Sequence, residues 1–142
     1  MAVRDGSYPA NANYTKQGGA VRVDDGGVVG RVILTGVNRT MTPEESGAVV
    51  VCTAADLVIS LPATEAGLSY TVVSKVPSAG TGVSVSPVAA DKFMGAGVTA
   101  ADNKDLINSG ASDVVGDCAT FVGDGVDGYY VSSVVGTWAR EA

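Results

Sequence analysis

The sequence contains no histidine. That absence removes the usual Ser-His-Asp and Cys-His arrangements, and with them the commonest ligand for zinc, copper or iron. Cysteine occurs only at Cys52 and Cys118, too few for a four-thiolate metal site. Helix formers other than alanine are scarce: 5 Leu, 4 Glu and 4 Lys in 142 residues. A helix bundle or coiled coil is excluded on that ground. No two basic residues adjoin, and 9 Lys and Arg stand against 15 Asp and Glu, a net charge of −6. Nucleic acid and anionic membrane surfaces are recognised by clustered Lys and Arg, so neither is an expected partner. No apolar run approaches the roughly 18 residues of a membrane span, and Met1–Pro9 lacks the apolar centre of a signal peptide. Synthesis and folding in a cytosol are expected, with the two cysteines as buried thiols rather than a disulfide.

What is present is valine, glycine and alanine, at 25, 19 and 19 residues. Valine and threonine are stiff at χ1 and suit pleated strands, while glycine supplies turns. The length fits one domain with an arm to spare. Residues 1–27 hold few large apolar side chains and two Gly-Gly pairs, and read as an N-terminal arm. It is either a loose tail or a segment that orders against a neighbouring subunit, with Tyr8 and Tyr14 as anchors.

Residues 28–142 read as strands separated by turns. Val28–Thr35 is the first run. Ala48–Thr53 and Leu57–Leu61 follow, joined by a turn at Thr53–Asp56, and together suggest a hairpin. Leu68, Tyr70 and Val72 share a face with Ser74. Val83–Ser86 is a further strand. Lys92–Met94 is a strand or half-turn, and Lys104–Asn108 a short strand. Val114–Val122 and Tyr129–Thr137 form a hairpin around Gly123–Gly128, where three glycines allow positive φ. Trp138 then caps one edge of the core or seals a subunit contact. Thr42–Ser46 alone suits a helical turn, with Pro43 at its first position and Glu45 as the capping acid. Roughly eight or nine short strands, many at ~8–12 residue spacing, suggest an antiparallel sandwich or barrel. No internal repeat is evident, which disfavours a solenoid.

Candidate chemistry is thin. Gly123–Gly128 has carboxylates and glycines but not the spacing of an EF-hand loop, and reads as a hairpin turn rather than a calcium site. Asp24 and Asp25 are adjacent and would point to opposite faces of a strand. Asp102, Asp105, Asp113 and Asp117 are scattered. No serine lies in Gly-x-Ser-x-Gly, and Cys118 has no histidine to activate it. No catalytic residue, cofactor or metal ligand is assigned.

Several motifs carry a resemblance. Leu61-Pro-Ala-Thr64, Ala66-Gly-Leu-Ser-Tyr-Thr71, Val85-Ser-Pro87 and Ala90-Asp-Lys-Phe-Met-Gly95 resemble stretches of small virion proteins of tailed bacteriophages. Gly116-Asp-Cys-Ala-Thr120, Gly123-Asp-Gly125, Gly128-Tyr-Tyr-Val131 and Gly136-Thr-Trp138 continue the likeness, as does Tyr14-Thr-Lys-Gln-Gly-Gly-Ala20. The resemblance implies a capsid decoration (cement) protein, or a related head or fibre component. Such proteins often sit as trimers on the outer capsid, at threefold junctions of the major capsid protein.

The combined expectation is an all-β protein: an antiparallel β-sandwich, jelly-roll-like, with an extended N-terminal arm. Its partners would be the major capsid protein and two further copies of itself, on the outer surface of the virion. Tyr8, Tyr14, Lys16 and Trp138 are the expected intersubunit or capsid contacts. A tail fibre, tailspike or carbohydrate-binding adhesin is the alternative. A hydrolase using a cysteine or an aspartate pair is a more distant one.

Overall fold

The computed structural model describes residues 30–109 and 113–142. Arg31–Ala142 cluster as a single unit, within which every element below lies. Eleven strands are present among the described residues: β1 (Val32–Thr35), β2 (Arg39–Thr40), β3 (Ala48–Cys52), β4 (Val58–Ser60), β5 (Ser69–Ser74), β6 (Ser84–Ser86), β7 (Lys92–Met94), β8 (Leu106–Asn108), β9 (Cys118–Gly123), β10 (Gly128–Val135) and β11 (Trp138–Arg140). They form a six-stranded sheet ordered β1-β3-β5-β9-β10-β7 and a five-stranded sheet ordered β11-β8-β6-β4-β2. The protein is all-β.

The strands form where side chains alternate. In β3 the residues Ala48, Val50 and Cys52 point inward, while Val49 and Val51 point out. In β5 Tyr70, Val72 and Ser74 are buried, and in β9 Ala119, Phe121 and Gly123. The apolar side chains among these join Ile59, Val85 and Leu106 of the second sheet in one core. Four rings sit at its centre. Phe93 and Phe121 lie 5.0 Å apart, and Tyr70 and Tyr129 6.4 Å apart, all tilted. Both buried phenols find acceptors, Tyr70 at the Thr42 carbonyl (2.7 Å) and Tyr129 at the Pro62 carbonyl (2.8 Å). Burial, with nearby Glu45, Glu65 and Glu44, pushes the Tyr70 hydroxyl up to about 12.

The pairing differs from the antiparallel expectation: both sheets are mixed. β1, β3 and β5 run parallel, as do β2, β4 and β6. The chain alternates between the sheets from β1 to β6 and so winds three parallel coils. The expected hairpin over 48–61 therefore does not form. β3 and β4 both alternate, but the turn at Thr53–Asp56 is a corner that carries the chain to the other sheet. Alternation fixes which side chains face inward, not which neighbour a strand takes. The coil also overturns the argument against a solenoid-like path. Val32 pairs with Val49 and Val49 with Thr71, so successive coils span 17 and 22 residues and leave no constant period.

The final third closes the stack. β9 and β10 form the expected hairpin, with an irregularity between Val131 and Ser133, but the first strand begins at Cys118 rather than Val114, because residues 114–117 close a turn of their own. β9 adds antiparallel to β5, and β8 adds antiparallel to β6. The run read as one strand through Thr137 breaks at Gly136, where φ is +91°, and β11 crosses to the second sheet. The helical turn is where expected. Pro43–Glu45 is 3-10, with the Thr42 amide donating to Glu45 Oε1. Burial raises the Glu45 carboxyl's affinity for its proton, but that amide and the Arg39 guanidinium prevail and hold it below its ordinary value.

Candidate functional site

Three regions could act on something else: the loops, one groove and one sheet face.

The loops are built around aspartates. Asp124 Oδ1 accepts from the amides of Val126, Asp127 and Gly128 at 2.8, 2.9 and 3.0 Å. The Gly128 amide contributes most to holding that carboxyl below its ordinary value. Asp56 takes the Ser78 hydroxyl (2.5 Å) and the Gly82 amide (2.8 Å), and its carboxyl is held low chiefly by Ser78. Asp113 accepts from the Ser78 amide at 2.7 Å and Asp91 from the Thr64 amide at 2.8 Å. Asp117 is buried, and its Oδ2 accepts from Asn108 Nδ2 and the Val114 amide, both at 3.1 Å. Five aspartates thus accept from the loops' own groups. Thr64 ties two loops together, donating its hydroxyl to the Gly128 carbonyl (2.6 Å) and accepting from the Gly125 amide (3.1 Å). The turn reading of Gly123–Gly128 is therefore what the geometry shows. Asp127 points elsewhere, 3.9 Å from Lys92 Nζ, which also lies 3.4 Å from Asp102.

A pH dependence follows. The Asp124 and Asp56 carboxyls titrate lower in the folded chain than in the unfolded one. Their contribution to stability is complete above the unfolded value and is lost as pH falls through the folded value. Protection of the Val126, Asp127 and Gly128 amides from hydrogen exchange, followed by NMR, should fall as Asp124 is protonated. Asp124→Ala should abolish that protection already at neutral pH, and intact protection in this variant would refute the assignment.

The groove holds about 280 Å³ and lies between Ala96–Thr99 and β11. Trp138 and Arg140 line it. Trp138 is half-buried, packs against the core, and donates its indole N–H to the Val135 carbonyl at 3.0 Å. The opposite wall turns through three left-handed residues, Gly95, Ala96 and Gly97.

The sheet face is the outer side of the six-stranded sheet. Register places Leu34, Val51, Val73, Cys118 and Val135 in one row across five strands. Val32, Val49, Thr71, Thr120 and Ser133 form a second row, in which the Thr71 and Thr120 hydroxyls meet at 3.0 Å. Ser69, Val122, Tyr130 and Met94 form a third. No residue of these rows is charged. Val32, Leu34, Tyr130 and Val135 are more than half exposed, and the middle strands half-buried.

The expected contact residues are not brought together. Tyr8, Tyr14 and Lys16 lie outside the described residues, and Trp138 stands beside the groove. Tyr129 is buried and Tyr130 exposed, on opposite sides of β10 as adjacent strand residues must be. Cys52 and Cys118 are both free thiols, the first buried. Asp117 and Cys118 likewise face opposite ways. Among the described residues no three Cys, Asp or Glu side chains gather as a metal site, and no helix is long and apolar enough to cross a membrane. Arg140 and the outer rows were not singled out from sequence. A signal for the rows was present: Val49-Val-Val51 and Val72-Val73 are apolar at consecutive positions, the mark of a strand with two apolar faces. The chain matches no known protein family and no curated protein.

Proposed function

We propose that this chain is a structural component of a tailed-bacteriophage particle rather than an enzyme: a capsid decoration (cement) protein. It binds the outer surface of the major capsid protein shell as a homotrimer and stabilises the mature head. The two sheets serve as the layers of one sandwich-like body, made in the host cytoplasm and carried on the outside of the virion. The resemblance of its motifs to small virion proteins supports this reading. The observation that carries it is the commitment of Asp56, Asp91, Asp113, Asp117 and Asp124 to loop amides. Side chains that could have served catalysis instead fix the shape of the loops. A ligand that binds only the closed, expanded shell strengthens it by linkage, and a rigid body loses little entropy on docking.

The arm of residues 1–27 supplies the shell or intersubunit contact through Tyr8, Tyr14 and Lys16. Removing residues 1–20 should leave the β body folded and lower its occupancy on particles. Electron microscopy of particles labelled with antibody to the chain reads both points. Regular labelling of heads is the expected result, and labelling confined to tails would overturn the decoration role. Undiminished occupancy of the truncated chain would remove the arm from it.

The groove beside Trp138 favours a second reading, a fibre or adhesin module that holds a sugar ring against the indole. Glycan-array binding that Trp138→Ala abolishes would move that reading to the front.

A further inference from the structure

We infer that the outer face of the six-stranded sheet is where a second copy of this chain docks. The inference rests on the virion-assembly reading and goes beyond it: like faces meet about a twofold axis, so this surface pairs copies of neighbouring trimers rather than closing one trimer.

Charge selects the face. The chain carries −6, so two copies approaching at random bring like charges together. Within a Debye length of about 8 Å that repulsion is felt. The three outer rows carry no charge, so an approach through them sets no carboxylate against another. The face is also self-compatible in chemistry. Its central row of Leu34, Val51, Val73, Cys118 and Val135 offers apolar surface, and the flanking threonines already satisfy each other. An acidic or basic partner would find nothing here to pair with. Another copy of the same face would.

Size sets the strength. The two longer rows cross five strands, about 19 Å at about 4.8 Å spacing, and three rows two residues apart span about 13 Å between outer rows. With side chains added, the footprint is on the order of 400 Å², comparable to the largest apolar patch on a typical monomer. Stable specific complexes bury about 800 Å² per partner. The face alone therefore gives a weak, concentration-dependent association. Copies already held on a shell meet at high effective concentration, where a weak contact becomes an occupied one.

The test is sedimentation equilibrium of the full chain across a concentration series, with Val51→Asp as the variant and Val51→Thr as its control. Val51 points outward and is half-buried, so a carboxylate there faces the partner rather than the core. Wild type should associate reversibly, and Val51→Asp should move the midpoint by about tenfold or more toward higher concentration. Val51→Thr should stay near wild type. Cys118 gives a second readout on unmutated protein, because it lies in the central row. Burial pushes the Cys52 thiol up to about 11, which keeps it from competing for reagent. Labelling of Cys118 should slow as wild-type concentration rises. A wild-type chain that stays monomeric, a Val51→Asp chain that associates equally well, or a Cys118 rate independent of concentration would each overturn the inference. Particle labelling separates the two proposals. Self-association without head labelling would remove the capsid role and leave this face standing. Full head occupancy by a Val51→Asp chain that no longer associates would remove the face's part in assembly and leave the capsid role.

Discussion

Gly128→Ala should destabilise the fold by about 3–5 kcal/mol, the range reserved for backbone-level conflicts. Gly128 opens β10 and pairs with Lys92 of the parallel strand β7. Its φ is +147°, a conformation that side chains with a Cβ rarely adopt. A methyl group there would be driven into the carbonyl and amide of Lys92, which are backbone and cannot rotate aside. Relief requires β7 to move off the sheet edge. That movement strains the Lys92 amide's bond to the Asp127 carbonyl (3.1 Å) and the Thr64 hydroxyl's bond to the Gly128 carbonyl (2.6 Å). Urea unfolding gives the free energy, and a thermal melt should shift by about 10 °C at 2–4 °C per kcal/mol for a chain of this size. A loss under about 1 kcal/mol would mean that the Lys92 backbone of β7 does not pack against Gly128.

Phe121→Ala should cost a similar amount, about 3–5 kcal/mol, for a different reason. Phe121 is fully buried in β9, between Tyr70 of β5 and Val131 of β10. Its ring meets Phe93 at 5.0 Å. Truncation opens a cavity where four strands of the sheet converge, and the aromatic pair adds about 0.5–1.5 kcal/mol beyond buried area. The strands are held by their ladders and collapse only partly into the space. Phe121→Leu keeps most of the volume and should lose about 1–2 kcal/mol. Denaturant midpoints for the two variants should separate accordingly. Equal losses would show that the site responds to the aromatic ring itself rather than to its volume.

Strand positions were legible because alternation is local. Tyr70, Val72 and Ser74, which alternate onto one face in the sequence, are all buried, and Leu57, Ile59 and Leu61 obey the same alternation. The capped turn at Pro43 and the loop at Gly123–Gly128 were legible from side chains that act within a few residues. Pairing was not. A corner such as Thr53–Asp56 and a hairpin turn use the same residues, and only the far partner distinguishes them. For β3 that partner is β5, reached after a passage through the other sheet. The locks on Asp91 and Asp117 escaped for the same reason. Thr64 lies 27 residues from Asp91, and Asn108 contacts Asp117 only because β8 and the turn before β9 meet in space. The three arm residues expected to make contacts, Tyr8, Tyr14 and Lys16, rest on the sequence alone.

The order of the strands has a consequence for synthesis. β1 to β6 leave the ribosome first and carry the three parallel coils. The exposed edges of β5 and β6 are then filled by β9 and β8, antiparallel strands that arrive later; Thr71 waits 49 residues for Thr120. Until they arrive, a nascent chain presents two unpaired edges, each a template for strands of other chains. The last third is thus a stopper as well as a share of the core. A chain interrupted before Leu106 would keep its coils and lose the stopper, leaving a fragment that adheres to its neighbours instead of folding to completion.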